Sequence, residues 1–123
     1  MDKLHILIVD DEQGIRLLVR EILGHKYGVL EARNGQEAID MANKHKPDLI
    51  LMDILMPNVN GYDACSTIKT NPATKRIPVV MVTAIGYELN KNLAKDVGAD
   101  GYLTKPFLEE ELLGTVSKFL GNS

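Results

Sequence analysis

Five polar residues stand where short apolar runs of the chain end, and their types point to one kind of chemistry. They are two adjacent aspartates, a third aspartate, a threonine and a lysine: Asp10, Asp11, Asp53, Thr83 and Lys105. Clustered carboxylates supply the hard oxygen ligands that Mg²⁺ takes in proteins. A lysine ammonium can pair with a carboxylate or a phosphoryl oxygen, and a threonine hydroxyl can donate a hydrogen bond to either group. Together these residue types indicate a magnesium and phosphoryl site.

The apolar runs before these residues alternate with segments of helical period. The runs cover residues 4–9, 27–32, 48–52, 78–82 and 101–104. Such alternation predicts a parallel sheet wrapped by helices, and right-handed crossovers would make it doubly wound. In open parallel sheets the working site lies outside the carboxyl ends of the strands. We therefore expect all the polar residues named above to meet at one edge of a five-stranded sheet.

Five helical segments are predicted around this sheet. In the first segment, apolar residues recur at the spacing of one buried helix face: Ile15, Leu18, Val19 and Ile22. The second begins at the Asn34–Gly35 turn, the third near Gly61, the fourth covers roughly 87–97, and the last covers 109–120. The sequence therefore predicts an α/β fold with helices on both faces of the sheet.

Length and composition narrow the class of protein. A chain of 123 residues is expected to form one domain, spanning 1–123. Its net charge of −3 gives no basic surface for direct nucleic acid binding, and no apolar stretch reaches the length of a membrane span. The single cysteine, Cys65, excludes an internal disulfide and reads as a core residue. We expect a cytoplasmic protein.

Four motifs of the chain resemble the receiver domain of two-component response regulators. They are IVDDE (8–12), LMDILMPNVNGYDA (51–64), VTA (82–84) and GADGYLTKPF (98–107). They occur in the order and spacing of that family and together extend over nearly the whole chain. The resemblance implies a flavodoxin-like fold with strand order 2-1-3-4-5.

The same resemblance assigns roles to the polar residues. Asp53 would be the aspartate that is phosphorylated. Asp10 or Asp11, more often the second in this family, would bind Mg²⁺ (or Mn²⁺), with the other aspartate helping through a water molecule. Asp53 and the backbone carbonyl of Leu55 would complete the metal site. Lys105 would pair with the phosphoryl group.

A second set of residues would carry the switch and set its lifetime. Thr83 would respond to the phosphoryl group, and the rotamer of Tyr102 would follow Thr83. The surface that changes would lie around the fourth predicted helix, the fifth strand and the last helix. Leu55 and Ile85 would flank the path of the hydrolytic water, and both are apolar here. The family also implies a cis peptide bond between Lys105 and Pro106.

The resemblance thus implies a phosphorylatable signalling switch rather than an enzyme, because the domain would assist only its own phosphorylation and dephosphorylation. Its phosphodonor would be a sensor histidine kinase or a histidine phosphotransfer protein, and its downstream target is unknown. Two alternatives stay open: a receiver-like interaction module that acts without phosphorylation, and a receiver excised from a longer regulator.

Two other classes of protein fit the sequence less well. A dehalogenase-type phosphatase would need an Asp-x-Asp pattern after the first strand, whereas Asp10 and Asp11 are adjacent here. A flavin-binding electron carrier would need a loop rich in Ser, Thr and Gly to cradle the flavin phosphate, and the loop after the first strand is acidic.

Overall fold

The computed structural model describes residues 3–56, 59–84 and 95–121 of the chain. These residues contain a five-stranded sheet in the order 2-1-3-4-5, and every neighbouring pair of strands is parallel. The strands are β1 (His5–Val9), β2 (Gly28–Ala32), β3 (Leu49–Asp53), β4 (Val79–Ala84) and β5 (Gly101–Lys105). The predicted sheet and its strand order are therefore confirmed.

Four helices are described. They are α1 (Gln13–Leu23), α2 (Gly35–His45), α3 (Gly61–Thr70) and α4 (Glu109–Leu120). The predicted helix at 87–97 falls mostly outside the described residues, so the C-terminal helix carries the label α4. In the described part of the chain, no helix combines the length and the apolar character needed to cross a bilayer.

Local sequence signals fix where α2 and α3 begin. The side chain of Asn34 accepts a hydrogen bond from the backbone N–H of Glu37, and Asn60 accepts one from Asp63. Each bond satisfies one of the N–H groups that a helix start leaves without an intrahelical partner. The predicted start of α2 at the Asn34–Gly35 turn is confirmed, and Asn60 sets the start of α3 at Gly61 in the same way.

Two hydrophobic layers cover the two faces of the sheet. The side chains of α2 and α3 pack on one face with Leu7, Val9 and Met52. Those of α1 and α4 pack on the other with Ile6 and Ile8. All five residues of β3 are buried, as expected for a central strand covered on both sides. This double cover leaves the strand ends, rather than the sheet faces, available for a site.

One detail of the predicted core is wrong. Leu18 was assigned to the buried face of α1, but its side chain is 40% exposed. Arg16 is buried instead, on the same side as Val19 and Leu23. A helical period gives the spacing of a buried face, whereas the orientation of that face depends on which neighbours are available. Here a buried carbonyl group and a carboxylate accept hydrogen bonds from Arg16.

Candidate functional site

The predicted site residues arrive at one edge of the sheet because their strands are adjacent and in parallel register. Asp10 directly follows β1, Asp53 is the last residue of β3, and Lys105 is the last residue of β5. Thr83 is the penultimate residue of β4. β3 and β5 thus extend one residue beyond the apolar runs of the sequence. The aspartate and the lysine at their ends are buried despite their charge.

Lys105 lies at the centre of the acidic groups. Its Nζ donates a hydrogen bond to Oδ2 of Asp10 at 2.9 Å and lies 3.7 Å from Oδ2 of Asp53. A third carboxylate oxygen, Oε1 of Glu12, is 3.6 Å away. Asp10 and Asp53 are almost fully buried, whereas the side chain of Glu12 is exposed. One buried cation therefore faces two buried anions.

Burial and the neighbouring charges both shift the pKa values of the residues in this cluster. Burial, followed by the charge of Asp10, raises the pKa of Asp53 from 3.8 to about 6. Burial also raises the pKa of Asp10, although its bonds to the Glu12 amide and to Lys105 oppose that shift. Burial alone would lower the pKa of Lys105, but its hydrogen bond to Asp10 and the nearby carboxylates together raise it. A further cation near these carboxylates would favour their ionised forms.

Three carboxylates are spaced to hold such a cation. Ligand oxygens of Asp10, Asp11 and Glu12 all lie within 4.8 Å of one another. The backbone N–H of Glu12 donates to Oδ1 of Asp10 at 2.9 Å, which folds this short loop back on itself. We call residues 10–12 the acidic loop. Its all-oxygen donor set has the chemistry that Mg²⁺ prefers, so the residues present fit a magnesium ion.

Two features of the acidic loop were missed in the sequence. Glu12 had no assigned role, yet its carboxylate belongs to the cluster and faces Lys105. Arg16 donates through Nη1 to the backbone carbonyl of Asp10 at 2.8 Å and through Nε to Glu31 at 3.0 Å. The available signal was an arginine one turn into a helix that follows an acidic loop.

The other predicted site residues, Leu55, Thr83, Tyr102 and Ile85, differ in burial and in whether the structure describes them. The backbone N–H of Leu55 is 3.4 Å from Oδ1 of Asp53, and the side chain of Leu55 is 51% exposed. Thr83 is buried, and Tyr102 is 43% exposed on β5, where it pairs in register with Met81. Ile85 lies outside the described residues. The roles assigned to these four residues stay predictions.

Close packing and an open cleft define the surroundings of Asp53 and Lys105. A side chain at Gly61 would place its Cβ 2.3 Å from the backbone carbonyl oxygen of Asp53, so the close approach of α3 to β3 requires glycine there. A cleft of about 340 Å³ opens over Lys105, with Glu12 and Ala84 in its lining. The peptide bond from Lys105 to Pro106 is cis, as predicted.

Cys65 takes no part in the site. It is fully buried in α3, and its thiol lies 3.5 Å from the carbonyl oxygen of Val97. Burial raises the pKa of the thiol to about 12, so it stays protonated at neutral pH. Its prediction as a core residue rather than a nucleophile is confirmed by its burial.

Known proteins are similar to this chain in sequence and in fold. The family model described as "Response regulator receiver domain" matches residues 6–117. The chemotaxis protein CheY of Halobacterium salinarum is 42% identical over 116 residues, which are 94% of this chain and 95% of that protein.

Longer proteins also contain the same unit. Histidine kinase P4 of Formosa agariphila is 37% identical over 98% of this chain, but the match spans only 9% of that kinase. The receiver domain of the sensor histidine kinase PA1611 of Pseudomonas aeruginosa PAO1 has a solved structure with a magnesium ion coordinated in its active site cleft. It is 27% identical, with a TM-score of 0.87, and the match covers 99% of this chain and 100% of that one.

Proposed function

The chain belongs to the response regulator receiver domain family of two-component signalling, and on that basis we propose that it is a switch phosphorylated on Asp53. The family is one of signalling domains rather than of enzymes acting on a separate substrate. The proposed phosphodonor is the phosphohistidine of a sensor histidine kinase or of a histidine phosphotransfer protein. The proposed output is a changed surface around the predicted helix 87–97, β5 and α4, which controls a downstream protein.

The placement of Lys105 between two buried carboxylates is the observation that carries this proposal. Its Nζ is 2.9 Å from Asp10 and 3.7 Å from Asp53, so it can stay on Asp10 or move to a new anion on Asp53. A structural ion pair with Lys105 would need only one carboxylate. A second buried carboxylate, with no cation of its own, would lower the stability of the fold. A phosphoacceptor beside a cation that can pair with its phosphoryl group would account for the presence of both carboxylates.

The metal-binding part of the proposal depends on the donor set. Asp10, Asp11 and Asp53, with the backbone carbonyl of Leu55, are the proposed ligands of Mg²⁺ or Mn²⁺, and the position of Glu12 adds a carboxylate that can hold a coordinated water. The receiver domain of PA1611, with magnesium in its cleft, has the same fold. When bound, the ion would neutralise charge on the phosphoryl oxygens, which is the main requirement of phosphoryl transfer.

The chain's own residues account for the remaining steps. A carboxylate oxygen of Asp53 attacks the phosphorus atom, the bond from phosphorus to the donor's imidazole nitrogen breaks, and an acyl phosphate forms. Asp53 must be ionised for this attack, and Lys105 favours that state. Lys105 can then pair with the phosphoryl oxygens, and Thr83 can donate its hydroxyl hydrogen to them. Displacement of Thr83 would make room for Tyr102 to turn inward.

A direct labelling experiment tests the function. Incubation with acetyl phosphate and Mg²⁺ should add one phosphoryl group to the intact mass of the protein, and Asp53→Asn should not be labelled. Asp63→Asn is the matched control, because Asp63 is an exposed aspartate on α3, and it should be labelled normally. Full labelling of Asp53→Asn would assign the acceptor elsewhere. A complete lack of labelling of the wild type would favour the module that acts without phosphorylation.

Whether the domain works alone or within a longer regulator is a separate question. The chain matches nearly all of the Halobacterium CheY but a small part of the Formosa kinase. Either setting would use the same phosphoacceptor chemistry. We propose that residues 1–123 form one receiver domain, located in the cytoplasm.

A further inference from the structure

A buried arginine behind the acidic loop has no part in the chemistry proposed above. The side chain of Arg16 is 10% exposed, and its Nη1 donates to the backbone carbonyl of Asp10 at 2.8 Å. Its Nε donates to Oε1 of Glu31 on β2 at 3.0 Å. A guanidinium can make both bonds at once because its donors are held in a planar fork. Arg16 therefore connects the acidic loop to the neighbouring strand.

The bonds of Asp10 show what this connection fixes. Its backbone N–H donates to the carbonyl of Ala32, and its two carboxylate oxygens accept from the N–H of Glu12 and the ammonium of Lys105. The backbone carbonyl is the remaining polar group of Asp10, and Arg16 is its donor. This carbonyl belongs to the peptide that joins Asp10 to Asp11. Its orientation sets the direction in which Asp11 leaves the strand.

The charge of Arg16 is itself held in place. Glu31 accepts from Arg16 and from Arg20, and although burial opposes it, these bonds lower the pKa of Glu31. Glu31 therefore stays ionised and keeps the guanidinium of Arg16 in a fixed position. Arg20 differs in one useful respect: it donates to Glu31 and to the carbonyl of Val29, neither of which belongs to the acidic loop.

From these contacts we propose that Arg16 is a positioning residue for the acidic loop. Its guanidinium fixes the peptide between Asp10 and Asp11, so the carboxylates keep the spacing needed to bind a divalent cation. The cation-binding part of this inference rests on the proposed function. The effect on the loop itself does not, because the hydrogen bonds exist without a bound ion.

Two measurements on the full chain test the effect on the acidic loop and the effect on cation binding separately. The first is the hydrogen exchange rate of the Glu12 amide without Mg²⁺, since that amide donates to Asp10 within the loop. In Arg16→Met the loop should loosen, and Glu12 should exchange about fivefold faster. The second is the Mg²⁺ affinity from amide resonance titration, which should fall about tenfold, as is common when a group that orients a metal ligand is removed.

Arg20→Met is the matched control. It removes an arginine from the same helix and the same glutamate, so a general loosening of α1 or β2 would affect both variants alike. We expect it to leave the Glu12 exchange rate and the Mg²⁺ affinity within about twofold of the wild type. Equal effects of the two substitutions would overturn the proposal.

Arg16→Lys covers the case in which Arg16→Met does not fold. A lysine keeps the charge but lacks the fork, so it can reach Asp10 or Glu31 but cannot hold both as the guanidinium does. In Arg16→Lys, the Glu12 exchange rate and the Mg²⁺ affinity should lie between those of the wild type and Arg16→Met. If only the lysine variant folds, its Glu12 amide should exchange faster than in the wild type and its Mg²⁺ affinity should be lower. Full wild-type values in Arg16→Lys would show that charge alone suffices and would overturn the positioning role. A wild type that does not bind Mg²⁺ would refute the metal site, while the metal-free exchange of Glu12 would still decide the role of Arg16.

Discussion

Lys105 donates a 2.9 Å hydrogen bond to Asp10, whereas its distance to Asp53 is 3.7 Å. The lysine is thus hydrogen-bonded to Asp10 rather than to Asp53, the proposed phosphoacceptor. Asp53 interacts with Lys105 only at the longer distance, and its pKa is near 6. The ammonium can transfer to a phosphorylated Asp53 by a short movement, since all three groups belong to one buried cluster.

The first prediction concerns the stability supplied by Lys105. Without Mg²⁺, Lys105→Met should lower the free energy of unfolding at pH 7.5 by about 3 kcal/mol, because it leaves two buried carboxylates without their cation. Urea unfolding monitored by circular dichroism measures the loss. Lys44→Met, at an exposed site, should change little. A loss no larger than that of Lys44→Met would mean that the buried pair is not coupled to folding.

The second prediction concerns pH and Asp53. Its pKa is 3.8 in the unfolded reference and about 6 in the folded protein, so the folded state holds its proton to higher pH. The free energy of unfolding should therefore fall as pH rises from about 4 through about 6. Asp53→Asn removes this cost. In metal-free buffer it should be more stable than the wild type at pH 7.5 by on the order of 2–3 kcal/mol, and nearly equal to it at pH 4.

Paired urea titrations at the two pH values measure this difference. Asp63→Asn serves as the control, because Asp63 is exposed. Its backbone N–H donates to the side chain of Asn60, and this bond does not involve the Asp63 carboxylate. It should show no such pH-dependent gain. An Asp53→Asn variant that is less stable than the wild type at pH 7.5 would contradict the charge imbalance inferred for the site.

The third prediction concerns the metal ligands. Mg²⁺ at about 100 times its dissociation constant should stabilise the wild type by about 2.7 kcal/mol, through preferential binding to the folded state. Asp11→Asn should abolish most of this stabilisation. Asp10→Asn should reduce it less, and without Mg²⁺ either change can raise stability by relieving repulsion. Thermal melts with and without Mg²⁺ provide the measurement.

Glu12→Gln sharpens the same test. Its carboxylate belongs to the acidic loop but is largely exposed, so we expect it to reduce the Mg²⁺-dependent stabilisation less than Asp11→Asn does. Equal Mg²⁺ shifts in the wild type and in Asp11→Asn would rule out Asp11 as a ligand. A larger effect of Glu12→Gln than of Asp11→Asn would move the metal towards Glu12.

The fold class was predicted from local patterns, whereas the strand order 2-1-3-4-5 was implied only by the resemblance to receiver domains. Apolar runs of strand length alternate with helical periods, and parallel connections leave few possible topologies. The shared edge of Asp10, Asp53 and Lys105 follows from the same rule about strand ends. The sequence could not show that Lys105 prefers Asp10 to Asp53, because that choice depends on differences of less than 1 Å between side chains.

The misassigned face of α1 has a different cause. Leu18 fits the apolar spacing as well as its neighbours do, and spacing alone cannot exclude it. Arg16 occupies the buried position although it is charged, because the backbone carbonyl of Asp10 and the carboxylate of Glu31 accept its hydrogen bonds. Burial of a charge depends on partners distant in sequence, such as Glu31, fifteen residues away along the chain. Periodicity contains no information about such partners.

The fourth prediction concerns the switch. Shifting a two-state equilibrium from 1:99 to 99:1 needs about 5.5 kcal/mol, more than one hydroxyl contact usually supplies. Thr83→Ala should therefore accept phosphate nearly normally but lose most of the phosphorylation-dependent change at Tyr102, because Thr83 is buried one strand away from that half-exposed ring. Lys105→Ala should also uncouple the change from phosphorylation. Ring resonances of Tyr102 with and without acetyl phosphate measure it.

Thr67→Ala is the control for the switch, because Thr67 is an exposed threonine on α3 whose hydroxyl donates within its own helix. It should keep the full response of Tyr102. If Thr83→Ala keeps it as well, Thr83 is not the residue through which phosphorylation reaches Tyr102.

The last prediction concerns the lifetime of the acyl phosphate. Hydrolysis requires a water in line with the bond to Asp53, within reach of a polar group that orients it. The side chain of Leu55 is apolar and half-exposed, so it offers the water no such group. The backbone N–H of Leu55 donates to the Asp53 carboxylate, which places the residue next to the proposed acceptor. Leu55→Asn combined with Ile85→Glu should therefore speed the loss of phosphate severalfold at saturating Mg²⁺, and wild-type phosphoprotein should persist for minutes or longer. Intact mass after removal of acetyl phosphate gives both rates. Leu113→Asn, at a half-exposed leucine on α4, controls for added surface polarity, and an unchanged rate in the double variant would show that these two side chains do not set the lifetime.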